Sequence, residues 1–402
     1  MASKRIALFL DGTWNNVDSN TNVWRLRCLV AEKDPAGTEQ RAYYHAGVGT
    51  AEGESVRGGT LGYGLGREIV RAYRWMIENY EAGDDIFIFG FSRGAFMARS
   101  LAGLVATCGL LRPGSPLSVE QLYARYRLHK AARPIWKIDF EHRQGRPITP
   151  DEARLLQYSF RVPIKMIGVW DTVGALGIPF GNIPGLSRRR FRFLNTNLSK
   201  LYDNAYHALA IDEHREAFSP TLWTRFTPAI PDPPGTGSGS GGAKRAVEQR
   251  WFVGAHANVG GGYVDDELAQ VPLAWLKGKA EGLGLAFRFP VPLQGGEHRA
   301  PTTDSFAAFM RGFYRLFKLG RRHHRAIGAG PRAVRGGTSD TVGETIDGTV
   351  FDRWRADAAY RPPGLAEWAG RLGVDPAAMT SAVDAKTAAP LGGRGENSGA
   401  GA

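Results

Sequence analysis

An α/β fold, with a mostly parallel central sheet flanked by helices, is predicted by three features of this sequence. Short apolar runs of strand length recur, helical apolar periodicity lies between them, and turn residues sit at the joins. The first run, residues 6–10 (Ile6, Ala7, Leu8, Phe9, Leu10), is continuously apolar and stops at Asp11-Gly12, as a strand covered on both faces would. Residues 42–48 form a weaker second strand. Residues 58–66 are glycine-rich and lead into a helix over 67–80, where Ile69, Ala72, Tyr73, Met76, Ile77 and Tyr80 repeat at helical spacing. Asp84-Asp85 opens a strand over 86–89, residues 90–94 turn, and 95–108 read as a buried helix.

Residues 112–160 change character. Tyr123, Tyr126 and Leu128 sit among many charges with no strand pattern, which reads as a helical insertion and a candidate lid. A buried strand over 164–169 then ends in Trp170-Asp171, residues 204–218 read as helical, and a strand over 249–253 ends at Gly254-Ala255-His256. The organisation that follows is a catalytic domain over 1–290, interrupted by a flexible Pro/Gly/Ser loop over 231–245, then a helical extension over 291–385 packed on it. A Gly/Ala-rich tail over 386–402 reads as disordered.

The chain has 402 residues, 43% of them hydrophobic and 22% charged, a composition that builds a substantial core. Two cysteines, Cys28 and Cys108, exclude a disulfide framework. Neither a signal peptide nor an apolar run of the roughly 20 residues that span a bilayer is present, which implies a product made soluble in the cytoplasm. The formal charge of +12 suits an anionic partner, or simply a solvated basic surface. No nucleic-acid-binding motif accompanies it, so nucleic acid is not expected as a partner.

Gly90-Phe91-Ser92-Arg93-Gly94 fits the pattern G-x-S-x-G in the setting that gives it meaning: a buried strand before it and a small-residue helix after it. Gly90 and Gly94 let the chain turn sharply and push Ser92 to the tip, with its hydroxyl exposed. The backbone N–H of Arg93 would then form half of an oxyanion hole at the helix N-terminus. A phosphate-binding turn is the rival reading, weakened because no Lys-Ser/Thr pair follows at the required spacing.

A nucleophilic serine needs a base, and the base needs an orienting acid. Of nine histidines, His256 closes a late strand and enters the glycine-rich run Asn258-Val259-Gly260-Gly261-Gly262-Tyr263. His129 and His142 fall in the charged insertion, His207 and His214 in a helical pattern, and His298, His323 and His324 in basic segments read as surface. Asp171, at the C-terminal end of a parallel strand, is the candidate acid. Asp212, Glu213, Asp265 and Asp266 are its rivals. Asp11-Gly12-Thr13-Trp14 follows the first strand, and a backbone N–H of Gly12 or Thr13 could complete the oxyanion hole. Asp11 itself could instead cap an Asx turn that shapes that loop. A phosphatase D-x-D-G-T motif is ruled out because position 9 is Phe. This chemistry calls for no metal and no cofactor.

Taken in order, a set of stretches resembles one family. They are Leu8-Phe9-Leu10-Asp11-Gly12-Thr13-Trp14-Asn15, Ala46-Gly47-Val48-Gly49-Thr50, Gly90-Phe91-Ser92-Arg93-Gly94-Ala95-Phe96, Gly168-Val169-Trp170-Asp171-Thr172-Val173, His207-Ala208-Leu209-Ala210-Ile211-Asp212-Glu213, and Trp251-Phe252 through Gly260-Gly261-Gly262-Tyr263. The family is the α/β-hydrolase domain family of bacterial and fungal proteins that includes the first class of type VI secretion lipase effectors. The resemblance implies an α/β-hydrolase-like fold, a Ser–Asp–His hydrolase with Ser92, Asp171 and His256 on the motif positions, phospholipase activity, export by a type VI system and an immunity protein as partner. Asn258 stands where the family often carries Asp, which removes a negative charge near the base.

The substrate reading rests on surfaces. Residues 304–319 place Phe306, Phe309, Met310, Phe313, Leu316 and Phe317 on one helical face, with Arg311, Arg315 and Lys318 beside it and Arg321-Arg322-His323-His324-Arg325 following. Such a helix suits an anionic membrane surface, or packs its apolar face on the core. Together these features imply a lipid or small ester as substrate. The alternatives are a soluble carboxylesterase and an inactive hydrolase fold serving as a binding module.

Overall fold

The computed structural model describes residues 3–12, 17–47, 61–128, 131–173, 202–228, 246–308 and 320–391. Its centre is an eight-stranded sheet. The strands are β1 (Arg5–Leu10), β2 (Gln40–His45), β3 (Asp85–Phe91), β4 (Ile164–Trp170), β5 (Tyr202–Ala210), β6 (Ala246–Phe252), β7 (Glu344–Ile346) and β8 (Val383–Asp384). The spatial order is β8-β7-β6-β5-β4-β3-β1-β2, and every neighbouring pair is parallel except β7–β8. This is the expected α/β-hydrolase-like architecture.

The continuously apolar strands have a physical reason: both faces of the sheet are covered. On β1, Ile6, Leu8 and Leu10 point to a core shared with α2 (Leu61–Asn79) and α3 (Arg93–Cys108). Ala7 and Phe9 point to the other face, packed by α1 (Asn22–Leu29) and α8 (Glu267–Glu281). The residues expected to form a helix over 67–80 do so within α2, with Ile69, Ala72, Tyr73 and Met76 buried.

Several expectations are corrected. Residues 204–218 do not form a helix: β5 occupies the first half, an interior strand whose Ala205, Ala208 and Ala210 fit close between β4 and β6. The insertion is helical, with α4 (Val119–Tyr126), α5 (Ile135–Arg143) and α6 (Pro150–Tyr158), and its ends meet in a two-stranded pair, Leu110–Leu111 with Ser159–Phe160. It is not placed as a lid. The Cys108 thiol donates to the carbonyl of Leu122, and Tyr126 lies against Gly103. These contacts fall on the C-terminal half of α3, about 16 to 24 Å along the helix from Ser92 at a rise of about 1.5 Å per residue. A cleft of about 590 Å³ beside the insertion is lined by Asp84, Asp85 and Pro163, at the N-terminal ends of β3 and β4, the edge opposite Ser92.

The division at residue 290 is corrected as well. The later segment contributes β7 and β8 to the central sheet, and helices Gly348–Ala356 and Pro363–Leu372 build a core with the middle of the chain. Trp251 from β6 is fully buried there with Ile346, Phe351 and Trp368, and its indole N–H donates to Glu344 (2.8 Å). Residues 386–391, read as the start of a disordered tail, are held: Lys386 pairs with Asp340 at 2.6 Å, and the N–H of Leu391 donates to the Ala382 carbonyl. The loop over 231–245, the remainder of the tail from 392 and residues 309–319 of the amphipathic stretch lie outside the described residues. Phe306 at the start of that stretch is buried, under the guanidinium of Arg322, so this end of the stretch faces inward. Among the described residues, no helix is long and apolar enough to cross a membrane.

Candidate active site

The C-terminal ends of β3, β4 and β6 bring Ser92, Asp171 and His256 together. Ser92 lies between β3 and α3 with φ +58° and ψ −121°, a strained backbone conformation for a residue with a Cβ. Its N–H is held by the Trp170 carbonyl at 3.1 Å, and the two glycines around it fit only because they lack side chains. A Cβ on Gly90 would lie 2.5 Å from the Gly94 carbonyl oxygen, and one on Gly94 would lie 2.1 Å from that of Leu10. The turn therefore packs against the end of β1 without room for a methyl group.

The Ser92 Oγ lies 2.8 Å from His256 Nε2, and His256 Nδ1 lies 2.5 Å from Asp171 Oδ2. Asp171 is fully buried, and Ser92 and His256 keep only a small exposure, so the line of three opens outward at the serine. The imidazole is walled by Phe91, whose ring centroid is 4.7 Å away, and by the edge of Phe218 at 5.0 Å. Burial pushes the His256 pKa below its ordinary value against the opposing hydrogen bond and charge of Asp171. Burial alone would raise Asp171, but the charge of Arg325, with His256, holds its carboxyl well below the usual carboxylate range. The resting state is thus a neutral imidazole between a serine hydroxyl and an ionised acid.

The short helix α7 (His256–Gly260), which begins at His256, is held from several sides. Asn258 Oδ1 accepts from the N–H groups of Ala255 and Thr303, both at 3.1 Å, which ties the start of this helix to the chain before Ser305. Gly254, at φ +107°, makes the turn out of β6. Glu213, also fully buried, accepts from the His256 backbone N–H (3.3 Å) and the Ser305 hydroxyl (2.9 Å) while chelating Arg215. Burial raises its carboxyl, but Arg215 overrides this and brings it to about 2. Behind Asp171, His207 Nε2 accepts the Thr172 N–H at 3.0 Å, fixing the bend that follows the acid.

Two oxyanion candidates fare differently. Arg93 begins α3 directly after Ser92, so its backbone N–H is at the helix N-terminus. The Gly12 N–H donates to Asp11 Oδ1 at 2.7 Å, so in this conformation it is committed to its own loop. Asp11 is buried, and its Oδ2 accepts from Thr21 (2.5 Å) and Tyr44 (3.0 Å), so it shapes the loop. Thr13 lies outside the described residues. Arg325 is the contact the sequence did not disclose: it reads as one of a run of surface cations, yet its side chain is buried on Asp171. Glu213, a rival for the acid in the sequence, instead anchors the His256 backbone, and His207, read there as part of a helix, lies in β5. Among the described residues, no cluster of three or more His, Cys, Asp or Glu could hold a metal ion.

Residues 4–279 match the family described as type VI secretion system phospholipase effector, Tle1-like, catalytic domain. The chain belongs to this family. It is 27% identical over 250 residues to the uncharacterised protein YEL023C of Saccharomyces cerevisiae, a match covering 57% of this chain and 34% of that protein. Among solved structures, an uncharacterised protein from Pseudomonas aeruginosa is 18% identical with a TM-score of 0.39, over 78% of this chain and 51% of that one. A Tle1 effector, solved bound to the VgrG spike of the type 6 secretion system, is 19% identical with a TM-score of 0.35, over 65% and 51%. A sugar hydrolase (YeeB) from Lactococcus lactis is 12% identical with a TM-score of 0.31, over 70% and 92%. The chain spans about a third of the yeast relative (34%) and about half (51%) of each of the first two solved chains.

Proposed function

We propose that this domain is a serine hydrolase that cleaves carboxylic esters of membrane lipids through an acyl-Ser92 intermediate. The observation that carries the reading is the unbroken line Ser92–His256–Asp171, with contacts of 2.8 and 2.5 Å, at a serine held in a strained turn. His256 Nε2 takes the Ser92 proton as Oγ attacks the ester carbonyl, and then gives it to the leaving alcohol. Asp171 accepts from Nδ1, fixes the tautomer and stabilises the imidazolium. Water then enters by the reverse roles, returning Ser92 and releasing the fatty acid. The oxyanion is held by the Arg93 N–H, with Thr13 as the remaining second candidate. Each such donor contributes a factor of about 10² to 10³ in rate.

Phospholipid as the substrate class is supported by membership of the phospholipase-effector family and by the +12 charge, which draws a protein to anionic bilayers. Delivery by a type VI system and neutralisation by an immunity protein are part of the same proposal and rest on the family alone. The test is hydrolysis of phospholipid vesicles by wild type and Ser92→Ala, with a short-chain p-nitrophenyl ester run in parallel. Activity on both, abolished in Ser92→Ala, is the expected result. Activity on the soluble ester alone keeps the serine mechanism and overturns the lipid assignment, leaving a soluble carboxylesterase. A folded protein inactive on both overturns the ester assignment and leaves a binding role or a different substrate.

A further inference from the structure

We infer that Arg325 is a positioning residue for the proposed reaction: its guanidinium clamps Asp171 in line with His256 and moderates the pull of the carboxylate on the imidazole. The inference rests on the assignment of Ser92, His256 and Asp171 given above.

Arg325 Nη1 donates to Asp171 Oδ1 at 2.6 Å and Nη2 to Oδ2 at 3.0 Å, a two-pronged contact that a lysine cannot make. The backbone N–H of Ala210 adds a third donor to Oδ1 (3.1 Å), and His256 Nδ1 adds the fourth to Oδ2. An ionised carboxylate has about four lone-pair sites, so this one is fully occupied and cannot rotate away from the imidazole. The same guanidinium donates to the carbonyls of Ala210 (2.7 Å) and Phe218 (2.6 Å), and the ring of Phe218 walls the far side of His256. One side chain thus fixes both the acid and part of the base's pocket.

The cation also answers an electrostatic problem. Asp171 is fully buried, and a lone buried carboxylate is strongly disfavoured. Arg325, itself buried, supplies the counter-charge, so the acid stays ionised while His256 is neutral. The cost is that Oδ2 is shared between Nη2 and Nδ1, and the imidazolium formed during reaction feels a compensated carboxylate. Among the described residues, the other titratable groups facing this cluster include Glu213 and Arg215, bound to each other beside the His256 backbone, and the neutral His207, whose Nε2 accepts the Thr172 N–H. Arg325 also lies beyond the matched stretch 4–279, so the site is completed by a later part of the chain.

The experiment is an NMR titration of the His256 imidazole in the full chain, comparing wild type, Arg325→Met and Arg325→Lys, with kcat/KM on a soluble ester measured alongside. Removing the cation should raise the His256 pKa by about one unit, because Asp171 then acts on the imidazole without a competing positive charge on its oxygens. The acid limb of kcat/KM should move up with it. Arg325→Lys keeps the charge and should leave the titration near wild type, while kcat/KM falls about tenfold because the fork is gone. In an Asp171→Asn background, Arg325→Met should no longer move the titration. A packing role alone would lower stability and leave the pKa in place, so an unmoved titration in Arg325→Met overturns the proposal. If that variant does not fold, Arg325→Lys decides: wild-type kcat/KM in it overturns the clamp. The titration needs no turnover, so a wild type inactive on esters would sink the proposed reaction and leave the Arg325 result standing on its own.

Discussion

Gly94→Ala tests the packing of the turn most directly. The added methyl carbon would stand 2.1 Å from the Leu10 carbonyl oxygen and 2.6 Å from both the carbonyl carbon and oxygen of Asp11. Ordinary C···O contacts begin at about 3.3 Å, so α3 and the end of β1 must separate by about 1 Å. Neither side yields easily: the obstructing atoms are backbone, and β1 is paired on both flanks, with β2 and β3. The expected destabilisation is at the upper end of overpacking costs, about 3 kcal/mol. Ser92 is two residues away, and a displacement of about 1 Å at a reacting group costs about 10²-fold in rate. The same chemical change at Gly278, inside α8 with nothing within 4 Å of the added carbon, should stabilise by about 0.5–1 kcal/mol through helix propensity. Urea midpoints and kcat/KM on a p-nitrophenyl ester, measured for both variants, check the pair. A Gly94→Ala protein with wild-type midpoint and a rate within threefold of wild type would refute the reasoning.

Three further outcomes follow from the same geometry. Because burial lowers the His256 pKa and the neutral imidazole is the working base, kcat/KM should fall only below pH 6.5 and stay level from there to pH 8; a pH–rate profile with its acid limb above 7 contradicts this. His207 is lowered to about 3, first by burial and then by the charge of Arg99, and its Nε2 accepts the Thr172 N–H, so protonation would set donor against donor. A folded-state pKa below the ordinary 6.5 means the unfolded chain takes up the proton first: its stabilisation is complete above pH 6.5 and is lost as pH falls toward about 3. Urea midpoints should therefore drop through that window, and less steeply in His207→Gln. Truncation after residue 290 should give an insoluble product rather than a smaller active domain, since it strips β7, β8 and the partners of Trp251. Soluble yield and circular dichroism of the shortened chain check it.

How much of this was legible in the sequence depended on whether a residue's role is set locally. Ser92 and His256 were readable because strand, turn and following helix are neighbours in the chain, and the fold carries the ends of parallel strands to one edge. Asp171 was readable for the same reason. Strand β5 was not, because an interior strand buried on both faces loses the alternation that marks a strand, and its alanines mimic helix propensity. β7 and β8, of three and two residues, are too short to leave a pattern at all. The insertion shows a different limit: its helical character is a property of its own residues, whereas which end of α3 it covers is not.

Arg325 marks the same boundary more sharply. Composition places a basic run of five residues on the surface, and Arg322 supports that reading by pairing with Asp304 at a partly exposed position. What separates Arg325 from its neighbours is a carboxylate 154 positions earlier that is fully buried beside His256 and is stabilised there by this counter-charge. A buried acid at the end of an interior strand therefore needs donors or a counter-charge from elsewhere in the fold, which the sequence does not name. The demand was legible in Asp171, and the fold chose the residue that meets it.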